Sequence, residues 1–247
     1  MLKLIILGAV QGLTEFLPVS SSGHLVVLER LFGLSQEAIA ITVILHLGTC
    51  LSLLVFFFKD ILKLLRSLKL IILVVIVTVI TGAIGLSGKN FFEALFSSPR
   101  AVAFGWLITA AILFAAQRFM DAKREDLNFK DASFLGLAQG FAIIPGVSRS
   151  GITVSSLLFR NIERNAAFRF SFLASIPAIF GAAILEARKI DFSLKLNPTE
   201  FVLGFLVSFL VGLLALRILQ QVLKKAKLYY FGYYCAVIAV LTLIFIK

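Results

Sequence analysis

Charge is scarce in this chain: only 15% of its 247 residues are Asp, Glu, Lys or Arg. Long polar stretches are missing as well, so nothing is left over for a separate soluble domain, and the whole chain reads as one membrane domain. Cysteine is limited to Cys50 and Cys235, both inside apolar runs, where they read as small core residues that carry no redox information. The first apolar run, Leu2 to Leu17, lacks a clean small-x-small site behind it and is interrupted by Gln11 and Glu15. Both features argue against a cleaved signal peptide.

What the chain does have is apolar residues, at 60%, with 25 Phe and a mean hydropathy of +1.02. That composition belongs to an integral membrane protein rather than to a soluble globular domain. The net charge of +11 would suggest nucleic acid in a soluble protein. Here the Lys and Arg concentrate in short loops between apolar runs, so the charge reports topology and membrane lipid, and no nucleic acid is expected.

An internal repeat organises the sequence. Leu7 to His24, LGAVQGLTEFLPVSSSGH, is matched 128 residues later by Leu135 to Ile152, LGLAQGFAIIPGVSRSGI, with eight identities in the seventeen positions from Leu7 to Gly23. The copies share L-G-x-x-Q-G and V-S-x-S-G; they differ at Glu15 against Ile143, Ser21 against Arg149, and His24 against Ile152. The shared residues are expected to be scaffold and the differences chemistry.

Six runs of about 20 residues can cross a hydrocarbon core of roughly 30 Å as helices. The pattern predicts an all-α integral membrane protein built as an inverted-topology repeat, with two re-entrant helical hairpins plus six transmembrane helices. Repeat one, 1–119, holds a hairpin over 2–34 and spans over 37–58, 69–88 and 99–119; repeat two, 132–247, holds a hairpin over 132–160 and spans over 165–186, 198–218 and 228–246. Each hairpin turns at a Pro and a Ser/Gly cluster, tolerated at membrane depth only where protein or water satisfies the backbone. Three crossings between the hairpins invert the second, so that the two tips meet near mid-membrane. Fifteen of the 24 basic residues fall in the loops 59–69, 118–131, 160–169 and 217–227, which places those loops in the cytoplasm. The sparser side holds Lys3, Arg30, Lys89, Arg100, Arg188, Lys189, Lys195 and Lys247, and both termini with it.

The tips carry the chemistry. Gln11 and Glu15 share one helical face, and Ser20, Ser21, Ser22 and Gly23 form a turn before a helix starting near His24. The second tip supplies Ser148, Arg149, Ser150 and Gly151, with Thr153 in the following turn. Two helix N-termini, an arginine and hydroxyl-bearing loops describe a phosphate site. An ionisable group at this depth costs about 2.5–3.5 kcal/mol on insertion scales, a cost that points to function. The bland alternative is a structural Glu15–Arg149 pair with Ser and Gly serving close packing, which leaves the crowd of hydroxyls and the histidine unexplained. His46, within a span, reads first as a hydrogen bond to its own helix and second as a catalytic residue; Glu93 and Glu186 read as solvated. Tyr229, Tyr230, Tyr233 and Tyr234 read as an interfacial belt, and Lys224, Lys225 and Lys227 as a basic loop with anionic lipid as a further partner.

In the motifs QGLTEFLPVSSSGH, from Gln11 to His24, and PGVSRSG, from Pro145 to Gly151, the chain resembles the undecaprenyl-diphosphate phosphatases of the BacA type, and the resemblance covers essentially its whole length. It implies hydrolysis of a polyprenyl diphosphate lipid to the monophosphate that carries cell-wall precursors, a link to bacitracin resistance, a bacterial plasma membrane location, and Mg²⁺ or Ca²⁺ as divalent cation. Release of the substrate after glycan transfer implies a site opening to the outer face; a homodimer is among the assemblies it allows. The family's (E/Q)-x-x-x-E motif falls on Gln11 and Glu15, its serine loop on Ser20, Ser21 and Ser22, its histidine on His24 and its phosphate-binding arginine on Arg149. Gln11 departs from the Glu of many members, so Glu15 is the expected metal ligand, with Gln11 beside it. Glu15, Ser21, His24 and Arg149 are the expected catalytic residues, with Ser21 as nucleophile and His24 or Glu15 as base; Gln11, Ser20, Ser22, Ser148, Ser150 and Thr153 are expected to bind substrate. Water activated directly by Glu15 or the metal is the alternative chemistry, and a transporter or flippase for a phosphorylated lipid the alternative function.

Overall fold

In a computed structural model, residues 1–33, 38–189 and 198–246 are described. Lys195 and Lys247, together with the end of the hairpin expected over 2–34 and the start of the span expected over 37–58, lie outside them. Helices are the regular structure of the described residues, joined by turns and loops, with one isolated bridge pairing Arg124 with Ile162.

The first half runs through α1 (Leu2–Phe16), α2 (Ser21–Phe32), α3 (Ala38–Phe56), α4 (Phe58–Leu65), α5 (Leu68–Ser87), α6 (Lys89–Phe96) and α7 (Pro99–Ala116). After a 3₁₀ turn, the second half comprises α8 (Phe129–Phe141), α9 (Arg149–Phe159), α10 (Arg164–Ala187), α11 (Pro198–Lys224) and α12 (Tyr229–Phe245). Five helices, α3, α5, α7 (with the turn after it), α10 and α11, are long and apolar enough to cross a membrane, and the sixth expected span, α12, is a shorter apolar helix. At 1.5 Å per residue, α1, α2, α8 and α9, with 15, 12, 13 and 11 residues, reach only about 16–23 Å, too little to cross.

Three elements depart from the expected boundaries. Residues 58–65, assigned to a basic loop, form α4, whose Lys and Asp share a strongly amphipathic helix. Residues 89–96, left between the spans expected over 69–88 and 99–119, form the short helix α6, with Phe91 exposed. The span expected over 198–218 continues to Lys224, so Arg217 and Lys224 are helical, because no Gly or Pro follows Gly212 before residue 225.

Packing exchanges the halves. The first hairpin helix, α1, lies along α11, and the second, α8, along α5. Small residues allow the first approach: a Cβ on Gly8 would stand 2.7 Å from the carbonyl of Gly204, and one on Gly12 2.7 Å from that of Ser208. Hydroxyls fasten the same region, Ser208 to the carbonyl of Leu45 and Ser52 to that of Phe209, each at 2.7 Å. On the other side Thr81 of α5 donates to the carbonyl of Gly136 and accepts from Gln139. The shared L-G-x-x-Q-G therefore serves, in both copies, a helix seated on the opposite half.

Candidate active site

Both hairpin tips rest on the middle of α7. Trp106 Nε1 donates to the carbonyl of Val19 at 2.8 Å, and Thr109 Oγ1 to that of Gly146 at 3.0 Å while accepting from the Ser148 amide at 2.9 Å. Trp106 and Thr109 lie seven and ten residues from the start of α7, roughly 10–15 Å along it, about halfway down a candidate span. Cys235 Sγ approaches the carbonyl of Pro18 at 3.6 Å. The tips also bond each other, Ser150 Oγ donating to the carbonyl of Leu17 at 3.1 Å.

Each tip ends in a serine N-cap. Ser20 accepts from the Gly23 amide and Ser148 from the Gly151 amide, opening α2 and α9 with their amide ends toward one another's hairpin. The same spacing sets a second hydroxyl beside each cap: Ser20 with Ser22, and Ser148 with Ser150, both at 3.2 Å. Ser20 holds φ at +67°, a left-handed conformation that a non-glycine residue adopts at a cost of order 1–3 kcal/mol.

Glu15 is the centre on which the tips converge. Arg149 Nη2 donates to Glu15 Oε1, while Ser21 Oγ donates to Oε2 at 2.5 Å and Gln11 Nε2 to Oε2 at 3.0 Å. Glu15 is 6% exposed and Gln11 fully buried, so this anion has no bulk water to screen it. Among the described residues, two polar atoms in the cluster are buried without a partner: Arg149 Nη1 and Gln11 Oε1. An unpaired guanidinium N–H beside a serine hydroxyl, between two helix N-termini, is a place for an anionic oxygen.

Four predicted residues, Gln11, Glu15, Ser21 and Arg149, are thus brought into direct contact. Ser20 and Ser22 border them at the start of α2. Ser148 and Ser150 are engaged in the cap and the tip-to-tip bond, and Thr153 Oγ1 donates to the carbonyl of Arg149 at 2.7 Å and accepts from Ser171 Oγ. His24 turns elsewhere: Nδ1 donates to the carbonyl of Ser20 at 2.7 Å, leaving Nε2 to accept from the Tyr234 hydroxyl at 2.7 Å. Its ring stacks on Tyr234 and meets Trp106 edge-on.

Sequence reasoning passes over two participants and ranks a third, His46, below its structural reading. Tyr234, assigned to the aromatic belt, reaches inward to His24; Tyr230 and Tyr233 are exposed as a belt requires. Trp106, the chain's single Trp, was signalled only by that rarity. His46 does bond its own helix, Nδ1 to the carbonyl of Thr42, but its Nε2 stands 3.6 Å from Glu15 Oε2. An ionisable residue inside a span was the available signal. Two surface cavities, of about 470 and 590 Å³, lie among the basic loops and contain none of these residues.

Comparison with known proteins bears on this geometry. The family described as bacitracin resistance protein BacA matches residues 4–241. An undecaprenyl-diphosphatase of Carboxydothermus hydrogenoformans is 42% identical over 97% of this chain and 95% of its own length. Those of Halothermothrix orenii and Thermotoga petrophila are 38% and 41% identical, over 98% and 96% of this chain and 96% and 98% of their own lengths.

Proposed function

The chain belongs to the family of bacitracin resistance protein BacA, and from that premise we propose that it hydrolyses undecaprenyl diphosphate to the monophosphate and inorganic phosphate, recycling the lipid carrier of cell-wall synthesis. It is a multi-pass membrane enzyme, and the observation that carries the catalytic reading is the Glu15–Ser21–Arg149 contact with its unpaired Arg149 Nη1.

Arg149 holds the terminal phosphoryl group through Nη1 while Nη2 stays on Glu15. Ser21 Oγ attacks phosphorus, its proton passing to Glu15 Oε2, and the bond to the bridging oxygen breaks to release the lipid monophosphate. Glu15 gives that proton to the departing lipid monophosphate, then takes one from the water that attacks the phosphoserine and returns it to Ser21 Oγ as inorganic phosphate leaves. The 2.5 Å Ser21–Glu15 hydrogen bond supports Glu15 rather than His24 in this role. With both ring nitrogens engaged, His24 shapes the serine loop through Ser20. Charge developing on the phosphoryl oxygens meets the amide ends of α2 and α9.

A divalent cation, Mg²⁺ or Ca²⁺, fits this corner as an open site. Gln11 donates from Nε2 to Glu15 Oε2 and leaves its own Oε1 buried without a partner, and among the described residues no group of three or more His, Cys, Asp and Glu closes a cage. Glu15 and Gln11 would hold the ion, with substrate phosphate oxygens and water completing the shell and the ion neutralising the diphosphate.

The inverted arrangement is part of the same proposal, supported by the reciprocal seating of α1 on α11 and α8 on α5. So are the plasma membrane location and a site opening to the outer face, where the spent carrier is released. Purified protein in detergent, given undecaprenyl diphosphate and Mg²⁺ or Ca²⁺, releases inorganic phosphate, and acid quench traps phosphoserine at residue 21. Near-normal turnover in Ser21→Ala with loss in Glu15→Ala would instead establish directly activated water. No release under any divalent cation would favour the transporter.

A further inference from the structure

His46 lies against the reaction centre with its lone pair toward a carboxylate. Nδ1 is 2.8 Å from the carbonyl of Thr42, an acceptor with no proton to give, so the ring proton sits on Nδ1 and the second nitrogen, Nε2, is the basic one. That Nε2 is 3.6 Å from Glu15 Oε2. Two acceptors facing one another in a largely buried place need a proton, a donor or a cation between them. One helical turn from Glu15, Gln11 Oε1 is a third acceptor, buried and without a partner. The tie from Nδ1 to a backbone carbonyl is the outer-shell bond that orients metal-ligating imidazoles.

We propose that His46 is the nitrogen ligand of the divalent cation, so that Glu15, Gln11 and His46 together form its protein half-shell. This rests on Glu15 holding the cation of the reaction. It extends the cation site from one hairpin to a spanning helix: α1 gives two oxygens and α3 a nitrogen, and the ion fixes α1 against α3 at the depth of the tips. A mixed oxygen and nitrogen set suits Mn²⁺, a transition-metal ion that accepts imidazole more readily than Ca²⁺ does.

The chain has only two histidines, and both ring nitrogens of the other, His24, are bonded to Ser20 and Tyr234. A nitrogen signal from a bound ion therefore reports on His46. The test uses full-length protein in detergent with its purification tag removed, titrated with Mn²⁺. Electron paramagnetic resonance reads binding, and its spin-echo modulation reads coupling to ¹⁴N. Wild type is expected to show one imidazole nitrogen on the bound ion. His46→Gln should lose that coupling and bind on the order of 10–100-fold more weakly, while Glu15→Gln should lose the ion. Bound Mn²⁺ that Glu15→Gln removes but that shows no nitrogen coupling in wild type overturns the assignment of His46 and leaves the Glu15 cation site standing. Coupling that survives in His46→Gln does the same. If wild type binds no Mn²⁺ yet releases phosphate, the His46 assignment and the cation both fall while the Ser21–Glu15 route remains. The wild-type measurement needs no variant to fold.

Discussion

Arg149 bonds Glu15 through Nη2 and leaves Nη1 without a partner among the described residues, and the proposed hold on phosphate uses that second arm of a forked side chain. Arg149→Lys keeps the charge but offers a single ammonium. It is expected to lower kcat/KM on undecaprenyl diphosphate about 100-fold, roughly 2.7 kcal/mol, with the melting temperature in detergent falling by only a few degrees. The identities of these residues are legible in the amino-acid sequence, because Glu15, Ser21 and Arg149 are where two otherwise matching motifs diverge. Their partnerships are not. His24 and Ser21 are three residues apart, a spacing that suggests contact, yet His24 is drawn to Tyr234, 210 residues away, and Glu15 receives Ser21 instead. Helical spacing limits which neighbours can meet; a ring with two polar nitrogens goes to whichever partners the packed helices present.

At the scale of elements, the hairpins are held at tip and base by different means. At the second tip Gly146 has φ +87°, and a Cβ there would stand 2.0 Å from the carbonyl of Val102. Gly146→Ala should therefore displace the tip from α7, lower the melting temperature and cost activity, whereas Gly181→Ala on α10, where a Cβ meets nothing within 4 Å, should leave both unchanged. At the base of the same hairpin, Asp131 is fully buried between Arg124 and Arg160 and closes a capping box with Asn128. Burial pushes its carboxyl up, but the hydrogen bonds from Arg124 and Arg160 outweigh it and hold the group below the ordinary carboxylate range. Asp131→Asn is expected to cost about 2–3 kcal/mol, less than a fully buried pair because both guanidiniums are partly exposed. A depressed value stabilises the fold above the unfolded carboxylate pKa of about 4 and stops doing so as pH falls through the folded value. The melting-temperature gap between wild type and variant, wide at neutral pH, should accordingly narrow in acid. In sequence, Arg124 and Arg160 counted only as basic loop residues; that they clasp one carboxylate depends on the loop after α7 meeting the end of α9.

For the whole molecule, sidedness follows from the uneven distribution of Lys and Arg, since positively charged loops are retained in the cytoplasm. Cys50 and Cys235 are buried, so single cysteines introduced elsewhere can be read against a quiet background. In intact cells, Arg188→Cys should be labelled by a membrane-impermeant maleimide, and Lys123→Cys only after the membrane is opened; the reverse pattern would invert the topology and move the site's opening to the cytoplasm. The sequence by itself determined that this is a helical membrane protein, where most of its apolar runs lie, and which two related turns carry the polar residues proposed to handle phosphate. Composition, run length and an internal repeat suffice for that, because hydrocarbon demands apolar helices of a set length and penalises every ionisable group left in it. Only the tertiary structure decided that α7 carries both tips, that α1 crosses to α11 and α8 to α5, and that His46 stands beside Glu15. Those outcomes depend on helix pairings between distant segments, and periodicity within a segment says which face is apolar without saying which helix will cover it.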